Sequence, residues 1–267
     1  MRTITKIQQQ KKSLHRYNIY LNDEYAFGID EDILVKFQLH KGMTLTESTI
    51  EEIMGHEDKH LAYLMAIRYL SYRMRSTKEI ETYLRKKEVS PQTIASIMAR
   101  LQKENLLDDH AFAAAFVRDR MLQTSKGPRV IINELREKGV SQEVAEVAAE
   151  QYGLEQQVEK AQKWAIKEVA KKSSHSVRKR KEQLQYKLMQ KGFSQEAVQI
   201  VMEEVPIEVD EETEKLRLEK QAQRALRRYE RKHEGYELKM QIKAALYNRG
   251  FSKNLIDEYV DKMKESR

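Results

Sequence analysis

Residues 184–194 read Leu-Gln-Tyr-Lys-Leu-Met-Gln-Lys-Gly-Phe-Ser, and a matching pattern occurs at residues 80–90, 131–141 and 242–252. Each copy places a leucine shortly before a serine at its end. The leucines are Leu84, Leu135, Leu188 and Leu246, and the serines are Ser90, Ser141, Ser194 and Ser252. The serines follow one another at intervals of about fifty residues. A period of this length predicts a tandem array of one supersecondary unit and argues against a single globular enzyme.

The end of the pattern predicts a tight turn between two helices. Glycine precedes the last two residues in three copies, as Gly139, Gly192 and Gly250, while Glu88 replaces it in the first. Glycine readily takes the left-handed conformation that ends a helix, and the serine after it can cap the next helix. With a further amphipathic run before each copy, the sequence predicts units of three helices that resemble helix-turn-helix motifs.

The first part of the chain has a different pattern. Apolar and polar residues alternate over residues 3–7 and 17–21, and Asn22-Asp23 then precedes another short run, residues 25–29. This predicts a small antiparallel sheet with a hairpin turn at Asn22-Asp23. Such a segment is too small to be stable alone, so we expect it to pack on the first helical unit.

The predicted fold class is therefore mainly α, with tandem three-helix repeats in an elongated array after a small β-containing segment. The predicted limits are 1–58 for the N-terminal segment, 59–105, 106–153 and 154–206 for repeats 1 to 3, and 207–267 for an acidic joint and repeat 4. Residues 206–214 are acidic, and we predict that the flexible joint lies there.

Composition narrows the class of protein. The 267 residues include 49 basic and 42 acidic side chains, a net charge of +7, and no cysteine. Without cysteine the chain can form neither disulfides nor thiolate metal sites. No apolar stretch approaches the ~20 residues that cross a bilayer, and the N-terminus lacks the apolar block of a signal peptide. The expectation is a cytoplasmic protein that does not contact membranes.

No grouping of residues points to catalysis. The sequence lacks a phosphate-binding loop and a glycine-flanked nucleophilic serine, and capping explains the four repeat serines. His56 and His60 stand four residues apart, as in half a zinc site, but no third ligand is evident nearby. We therefore expect no enzyme activity, no cofactor and no metal.

Basic clusters are the strongest candidates for a binding surface. They lie at Arg73 and Arg75, at Arg118, Arg120, Lys126 and Arg129, at Lys171 and Lys172, at Arg178, Lys179, Arg180 and Lys181, and at Arg224, Arg227, Arg228 and Arg231. In the last cluster, Arg224, Arg227 and Arg231 would share one helical face that could follow a phosphate backbone. A solvated face offset by Glu219 and Glu230 explains the same pattern equally well, and the sequence alone leaves both readings open.

Several of these segments resemble the RecX family, bacterial regulators of the RecA recombinase. Residues 69–76 with Glu79 resemble the first motif of the family, and residues 106–113 with 117–120 resemble its most specific signature. The segments 126–129 and 135–139 complete a match that covers about residues 60–264. The additional N-terminal segment and fourth unit resemble the longer form found in Gram-positive bacteria.

The resemblance implies a regulator without catalytic activity that lies in the groove of the RecA–single-stranded-DNA filament. It implies modulation, with inhibition as the leading expectation, of recombinase, ATPase and co-protease activities in DNA repair. The expected partners are the RecA filament and single-stranded DNA, with duplex DNA as a further possibility, and we expect a monomer. The basic residues above are the expected contacts.

Two other functions remain open at this point. A helix-turn-helix transcriptional regulator would bind duplex DNA with sequence specificity, because base contacts contribute about 1–3 kcal/mol each. A helical-repeat adaptor would bind proteins alone. Charge reversal at Arg227, Arg228 and Arg231 separates the adaptor from a filament binder, since only the latter would lose affinity and salt dependence.

Overall fold

A computed structural model describes residues 1–11, 13–171, 173–207 and 211–265. The described residues form four strands: β1 (Arg2–Gln9), β2 (Arg16–Leu21), β3 (Glu24–Asp30) and β4 (Thr44–Leu45). They also form thirteen helices: α1 (Glu31–Lys36), α2 (Glu47–Leu70), α3 (Thr77–Lys86), α4 (Pro91–Lys103), α5 (Asp109–Gln123), α6 (Pro128–Glu137), α7 (Gln142–Ala149), α8 (Leu154–Val169), α9 (Val177–Gln190), α10 (Gln195–Glu204), α11 (Glu211–Tyr229), α12 (Gly235–Asn248) and α13 (Lys253–Glu265). The chain is mainly helical after a small sheet, as its sequence predicts.

The N-terminal sheet is antiparallel, with the strand order β3-β2-β1-β4. The hairpin between β2 and β3 turns at Asn22 and Asp23, whose φ angles are 51° and 72°. Two positive φ angles match the right-handed twist of a two-residue hairpin, so the predicted turn is confirmed. The short strand β4 was not predicted, and it pairs with β1 through Arg2 and Leu45.

Three consecutive helices form each repeat: α2–α4, α5–α7, α8–α10 and α11–α13. The four pattern leucines are fully buried, at 0% exposure for Leu84, Leu135, Leu188 and Leu246. The serines also have their predicted role. Ser90, Ser141, Ser194 and Ser252 each accept a backbone hydrogen bond at the start of the third helix of a repeat. The period in the sequence therefore reports one packing unit used repeatedly.

The predicted repeat limits stay a prediction. Helix α2 continues through residue 58 without interruption, and it packs on both the sheet and the first repeat. In the predicted acidic joint, Ile207 is buried in the core of repeat 3, and Glu211 and Glu214 belong to α11. Glu208, Val209 and Asp210 lie outside the described residues.

The chain divides into two compact units. Unit 1 contains Met1–Phe112 and Lys138–Val140, and unit 2 contains Ala113–Glu137 and the described residues from Ser141 onward. Lys138–Val140 belong to unit 1 because this short turn is bonded to the start of α3. Ser76 Oγ donates a hydrogen bond to the Lys138 carbonyl oxygen at 2.6 Å.

The same joint recurs between consecutive repeats in the described residues. The residue before the middle helix of one repeat donates a hydrogen bond to the carbonyl oxygen just before the turn glycine of the next. The pairs are Ser76 Oγ with Lys138 O at 2.6 Å, Gly127 N with Lys191 O at 2.7 Å, and Ser176 Oγ with Arg249 O at 2.9 Å. We call this contact the inter-repeat joint. Its recurrence indicates that neighbouring repeats join by one geometric rule.

A carboxylate completes two of these joints at the first residue of the middle helix. Asp109 Oδ1 accepts a hydrogen bond from Thr77 N at 2.8 Å, and Glu214 Oε1 accepts one from Val177 N at 3.0 Å. The corresponding residue in repeat 2 is Pro128, which has no N–H to donate. The first N–H of the middle helix is thus paired with a carboxylate in repeats 1 and 3 and absent in repeat 2.

Close packing explains the glycine of the turn better than conformation does. A Cβ atom on Gly192 would lie 2.6 Å from Val130 N, and one on Gly250 would lie 2.6 Å from Ser176 Oγ. Glu88, at the equivalent position of repeat 1, has a φ of 61° and remains exposed. The left-handed turn therefore tolerates a side chain, whereas the inter-repeat joint does not. Repeat 1 can carry glutamate because no three-helix repeat precedes it.

Candidate nucleic-acid and protein interface

The two predicted site residues of repeat 1 are both engaged within the fold. Arg73 forms an ion pair with Glu79, with Nη2 and Oε1 2.9 Å apart. Arg75 lies over the ring of Tyr69 at 3.8 Å and donates to its hydroxyl at 3.0 Å. Tyr69 in turn stacks on Tyr83, with 4.0 Å between ring centroids. These arginines have structural roles, so their charges are only partly available to a ligand.

Glu79 holds three donors at the first inter-repeat joint. It accepts hydrogen bonds from Arg73, from Lys138 and from the Ser76 N–H. Burial alone would raise the pKa of Glu79, but these hydrogen bonds outweigh it and lower the pKa from 4.5 to about 2. The ionised carboxylate therefore stabilises both the α3 cap and the joint.

Replacement of Glu79 by glutamine is expected to lower the free energy of unfolding by about 1–2 kcal/mol at neutral pH, because the carboxylate is only partly buried and solvent screens its contacts. Because the folded-state pKa is depressed, the wild-type advantage is complete above about pH 4.5 and disappears as the pH falls towards 2. Urea denaturation at several pH values measures it. Glu81→Gln is the control, since Glu81 forms an exposed pair with Arg85 and its loss should cost about 0.5 kcal/mol or less. A Glu79→Gln effect that does not change with pH contradicts the ionic role.

Repeat 2 separates its four predicted cations into two kinds. Arg120 and Lys126 both bind Glu134, the former with 2.7 Å between Nε and Oε2. Burial alone would raise the pKa of Glu134, but hydrogen bonds from the two cations outweigh it and lower the pKa. Arg118 and Arg129 are exposed, and neither side chain pairs with another described residue. Of the four predicted cations, these two carry a charge that no described residue compensates.

Repeat 3 shows the same division. Lys171 pairs with Glu168 at 2.5 Å. Arg178 and Lys179 share Glu182, at 3.2 Å and 3.1 Å. The partners of the remaining cations differ. Arg180 donates to the Val169 carbonyl oxygen at 2.5 Å, Lys181 is exposed without a described ion pair, and Lys172 lies outside the described residues.

Repeat 4 contains the densest group of unpaired cations. Arg224, Arg227 and Arg228 are exposed on α11, and none forms an ion pair with another described residue. Arg228 also lies over the Tyr229 ring, 5.5 Å from its centroid. Arg231 is exposed as well, but α11 ends at Tyr229, so the prediction that Arg231 continues the helical face is wrong. The helix ends in a turn in which His233 N bonds the Tyr229 carbonyl oxygen.

Lys220 extends the group by one helical turn, four residues before Arg224, and sequence reasoning missed it. The spacing of three and four residues was the available signal. We call Lys220, Arg224, Arg227 and Arg228 of α11, together with Arg231 in the turn that follows the helix, the α11 basic stripe. Glu219 and Glu230 are exposed and form no ion pair with it in the described residues. The offset of charge by these glutamates would therefore act through longer-range electrostatics and not through ion pairs among the described residues.

The two histidines that resemble half a zinc site in the sequence, His56 and His60, contact different residues in the structure. His60 Nε2 lies 3.4 Å from Asp30 Oδ1, and potential ligand atoms of Asp30, Asp32 and His60 lie within 4.8 Å of one another. Asp30 also caps α1 by accepting a hydrogen bond from the Asp32 N–H. His56 contacts Lys36 instead, at 3.1 Å, so the two histidines do not form one site.

No helix in the described part of the chain has the length and apolar character to span a membrane.

Family models match most of the chain. The model for the regulatory protein RecX N-terminal domain matches residues 2–46. Models for the first, second and third three-helix domains of RecX match residues 62–101, 108–148 and 213–260. The third family domain thus corresponds to repeat 4. Repeat 3 lies between the ranges that the models for the second and third domains match.

Individual relatives agree along nearly the whole length. The regulatory protein RecX of Oceanobacillus iheyensis is 41% identical over 266 residues, which cover 98% of both chains. That of Bacillus subtilis is 41% identical and covers 96% of both chains. A crystal structure of a regulatory protein RecX has a TM-score of 0.68 at 34% identity and covers 76% of this chain and 100% of its own.

Proposed function

The chain belongs to the RecX family of regulatory proteins, and we propose from this premise that it binds the RecA–single-stranded-DNA filament and inhibits RecA. The activities affected would be recombinase, ATPase and co-protease activity in DNA repair. The α11 basic stripe is the observation that carries the DNA-binding part of the proposal. Its arginines are exposed and form no ion pair with another described residue, which leaves their charge available to phosphates.

Tandem repeats suit a filament partner for a second reason. A filament presents the same surface many times, and a chain with several similar units can contact more than one protomer. Linked contacts raise the overall affinity without any single strong site. Arg118, Arg129 and Lys181 are isolated charges in repeats 2 and 3 that form no ion pair with a described residue, so we assign them auxiliary contacts to DNA or RecA.

The paired cations have a different place in this proposal. Arg73, Arg75, Arg120, Lys126, Arg178 and Lys179 already contact partners within the fold. A phosphate would have to replace those contacts, which reduces the net gain. We therefore expect their loss to alter the repeats more than the binding of DNA. We also expect the chain to act as a monomer and without catalytic activity of its own.

The test is the ATPase activity of RecA on single-stranded DNA with the purified chain at substoichiometric ratios. We expect the ATPase rate to fall several-fold and the filaments to shorten in electron micrographs. Bovine serum albumin at the same concentration is the control for nonspecific protein effects. Unchanged ATPase rate, strand exchange and filament length would rule out the proposed function.

A further inference from the structure

Repeat 3 contains a cleft of about 350 Å³ that is separate from the α11 basic stripe. Its walls are the end of α8, the segment that follows it, and one face of α9. The charged groups that line it are Lys171, Arg180 and Lys187, with Glu168 as the carboxylate. Three fixed cations and one carboxylate leave a positive excess in a partly enclosed space. The size lies within the range of small-molecule sites.

The internal contacts do not use up this positive charge. Glu168 accepts hydrogen bonds from both Lys171, at 2.5 Å, and Lys187, at 2.6 Å. One carboxylate thus serves two ammonium groups, and each ammonium has three donors. The bonds hold both lysines at the cleft wall and leave donors on each of them for an additional acceptor.

Arg180 adds a charge that has no carboxylate bonded to it. Its Nη2 donates to the Val169 carbonyl oxygen at 2.5 Å, which is a neutral acceptor. Burial lowers the pKa of Arg180, the neighbouring Arg217 lowers it further, and Glu214 opposes both with a smaller effect. The guanidinium is therefore partly desolvated, and the like charge of Arg217 outweighs the opposite charge of Glu214. An anion in the cleft would relieve this repulsion.

The remaining lining is of mixed character. Leu184 and Ile207 supply apolar wall, while Gln183 and His175 supply polar groups. The Gln183 amide makes no hydrogen bond to another described residue. Cations beside an apolar wall suit a phosphate ester better than a bare inorganic ion, because the sugar or base can cover the apolar part.

We infer that this cleft binds the phosphate of a nucleotide unit, with Lys171, Arg180 and Lys187 as its ligands. The phosphate could belong to a DNA strand or to a free nucleotide, since the recognised group is the same. The assignment to a strand rests on the proposed function, whereas the cleft itself does not. A strand held here and at the α11 basic stripe would contact repeats 3 and 4 together.

The decisive variant is Gln183→Glu, which adds a negative charge to the cleft without removing a hydrogen bond or an ion pair. Gln185→Glu is the matched control, because Gln185 lies on the same helix and outside the cleft. Binding of fluorescent oligothymidylate, ATP and inorganic phosphate to the full chain is measured without RecA. Because RecA is absent, the result tests ligand binding at the cleft and does not depend on whether the chain regulates RecA.

We expect Gln183→Glu to weaken the binding of oligothymidylate about five- to tenfold and Gln185→Glu to change it little. The salt slope for the oligonucleotide should fall by about 0.7, the value for one phosphate contact on a single strand. A selective loss with ATP alone would support the cleft with a free nucleotide as the source. Equal binding of both variants to all three probes, or a loss confined to inorganic phosphate, overturns the inference. If circular dichroism shows that Gln183→Glu is misfolded, the same three probes are measured with Lys187→Gln, which removes one cation from the cleft.

Discussion

Gly192→Ala is expected to lower the free energy of unfolding by about 2–4 kcal/mol. One part of the loss is conformational, because Gly192 has a φ of 85° and the left-handed region costs other residues about 1–2 kcal/mol. The larger part is steric, because the new Cβ would lie 2.6 Å from the backbone nitrogen of Val130. Neither backbone can move without breaking the inter-repeat joint, in which Gly127 N and Arg129 N bond the Lys191 and Gly192 carbonyl oxygens. Urea denaturation followed by circular dichroism measures the loss.

Glu88→Ala is the matched control, since it places alanine at the same turn position of repeat 1. Glu88 already has a left-handed conformation and is exposed, so the change should stay within about 0.5 kcal/mol. Glu88→Ala keeps the left-handed conformation and its cost, so it reports only the loss of an exposed side chain at this turn. A Gly192→Ala loss above the conformational cost of about 1–2 kcal/mol therefore reports the inter-repeat joint. A loss of only about 1–2 kcal/mol at position 192 would mean that conformation alone selects glycine.

The triple variant Arg227→Gln/Arg228→Gln/Arg231→Gln is expected to weaken binding to single-stranded DNA about 100-fold at ~0.1 M salt. The three arginines are exposed and unpaired within the described residues, so their full charge is available to phosphates. The dependence of log K on log salt should become shallower by about 2, since each lost phosphate contact contributes about 0.7 on a single strand. Fluorescence anisotropy across a salt series gives both quantities. The triple variant should also bind the RecA filament more weakly than the wild-type chain.

Arg85→Gln/Lys163→Gln/Arg178→Gln removes the same number of charges and serves as the control. These side chains are 73%, 70% and 72% exposed, but each pairs with a glutamate one helical turn away. The net charge changes equally, so any difference reports the local stripe and not the overall charge. If both triple variants lose the same affinity for single-stranded DNA, the overall charge of the chain and not the α11 basic stripe determines the binding. Unchanged binding to the RecA filament in the stripe variant would favour a protein-only adaptor.

The sequence predicted the caps and turns with high fidelity because they depend on local chemistry. Ser90 caps α4 as predicted, and Pro91 follows it at the first position of the helix. Ser76 and Glu79, three residues apart, form a capping box at the start of α3. The end of α11 was misjudged because helical periodicity continues in the sequence through Arg231. A turn at Glu230–Lys232 ends the helix earlier, and no glycine or proline marks that point before Gly235.

The candidate interface was predictable only in part. Sequence clustering found the cations but gave equal weight to Arg120 and Arg118, which lie two residues apart. Their environments differ because Glu134, from the next helix, reaches Arg120 and not Arg118. A carboxylate fourteen residues away in the chain cannot be assigned to either arginine from spacing alone. For the same reason the sequence did not predict the cleft, where Glu168 of α8 accepts hydrogen bonds from Lys171, just after that helix, and from Lys187 of α9.

The sequence by itself determined the repeat, its three helices and the positions of its caps, because a buried leucine, a left-handed turn and a serine cap act within a few residues of one another. Only the tertiary structure decided which cations are free and why the turn glycine is needed. Those answers depend on atoms that approach from another repeat or another helix. At position 88 the turn can carry glutamate, and at position 192 the neighbouring Val130 leaves no space for a methyl group.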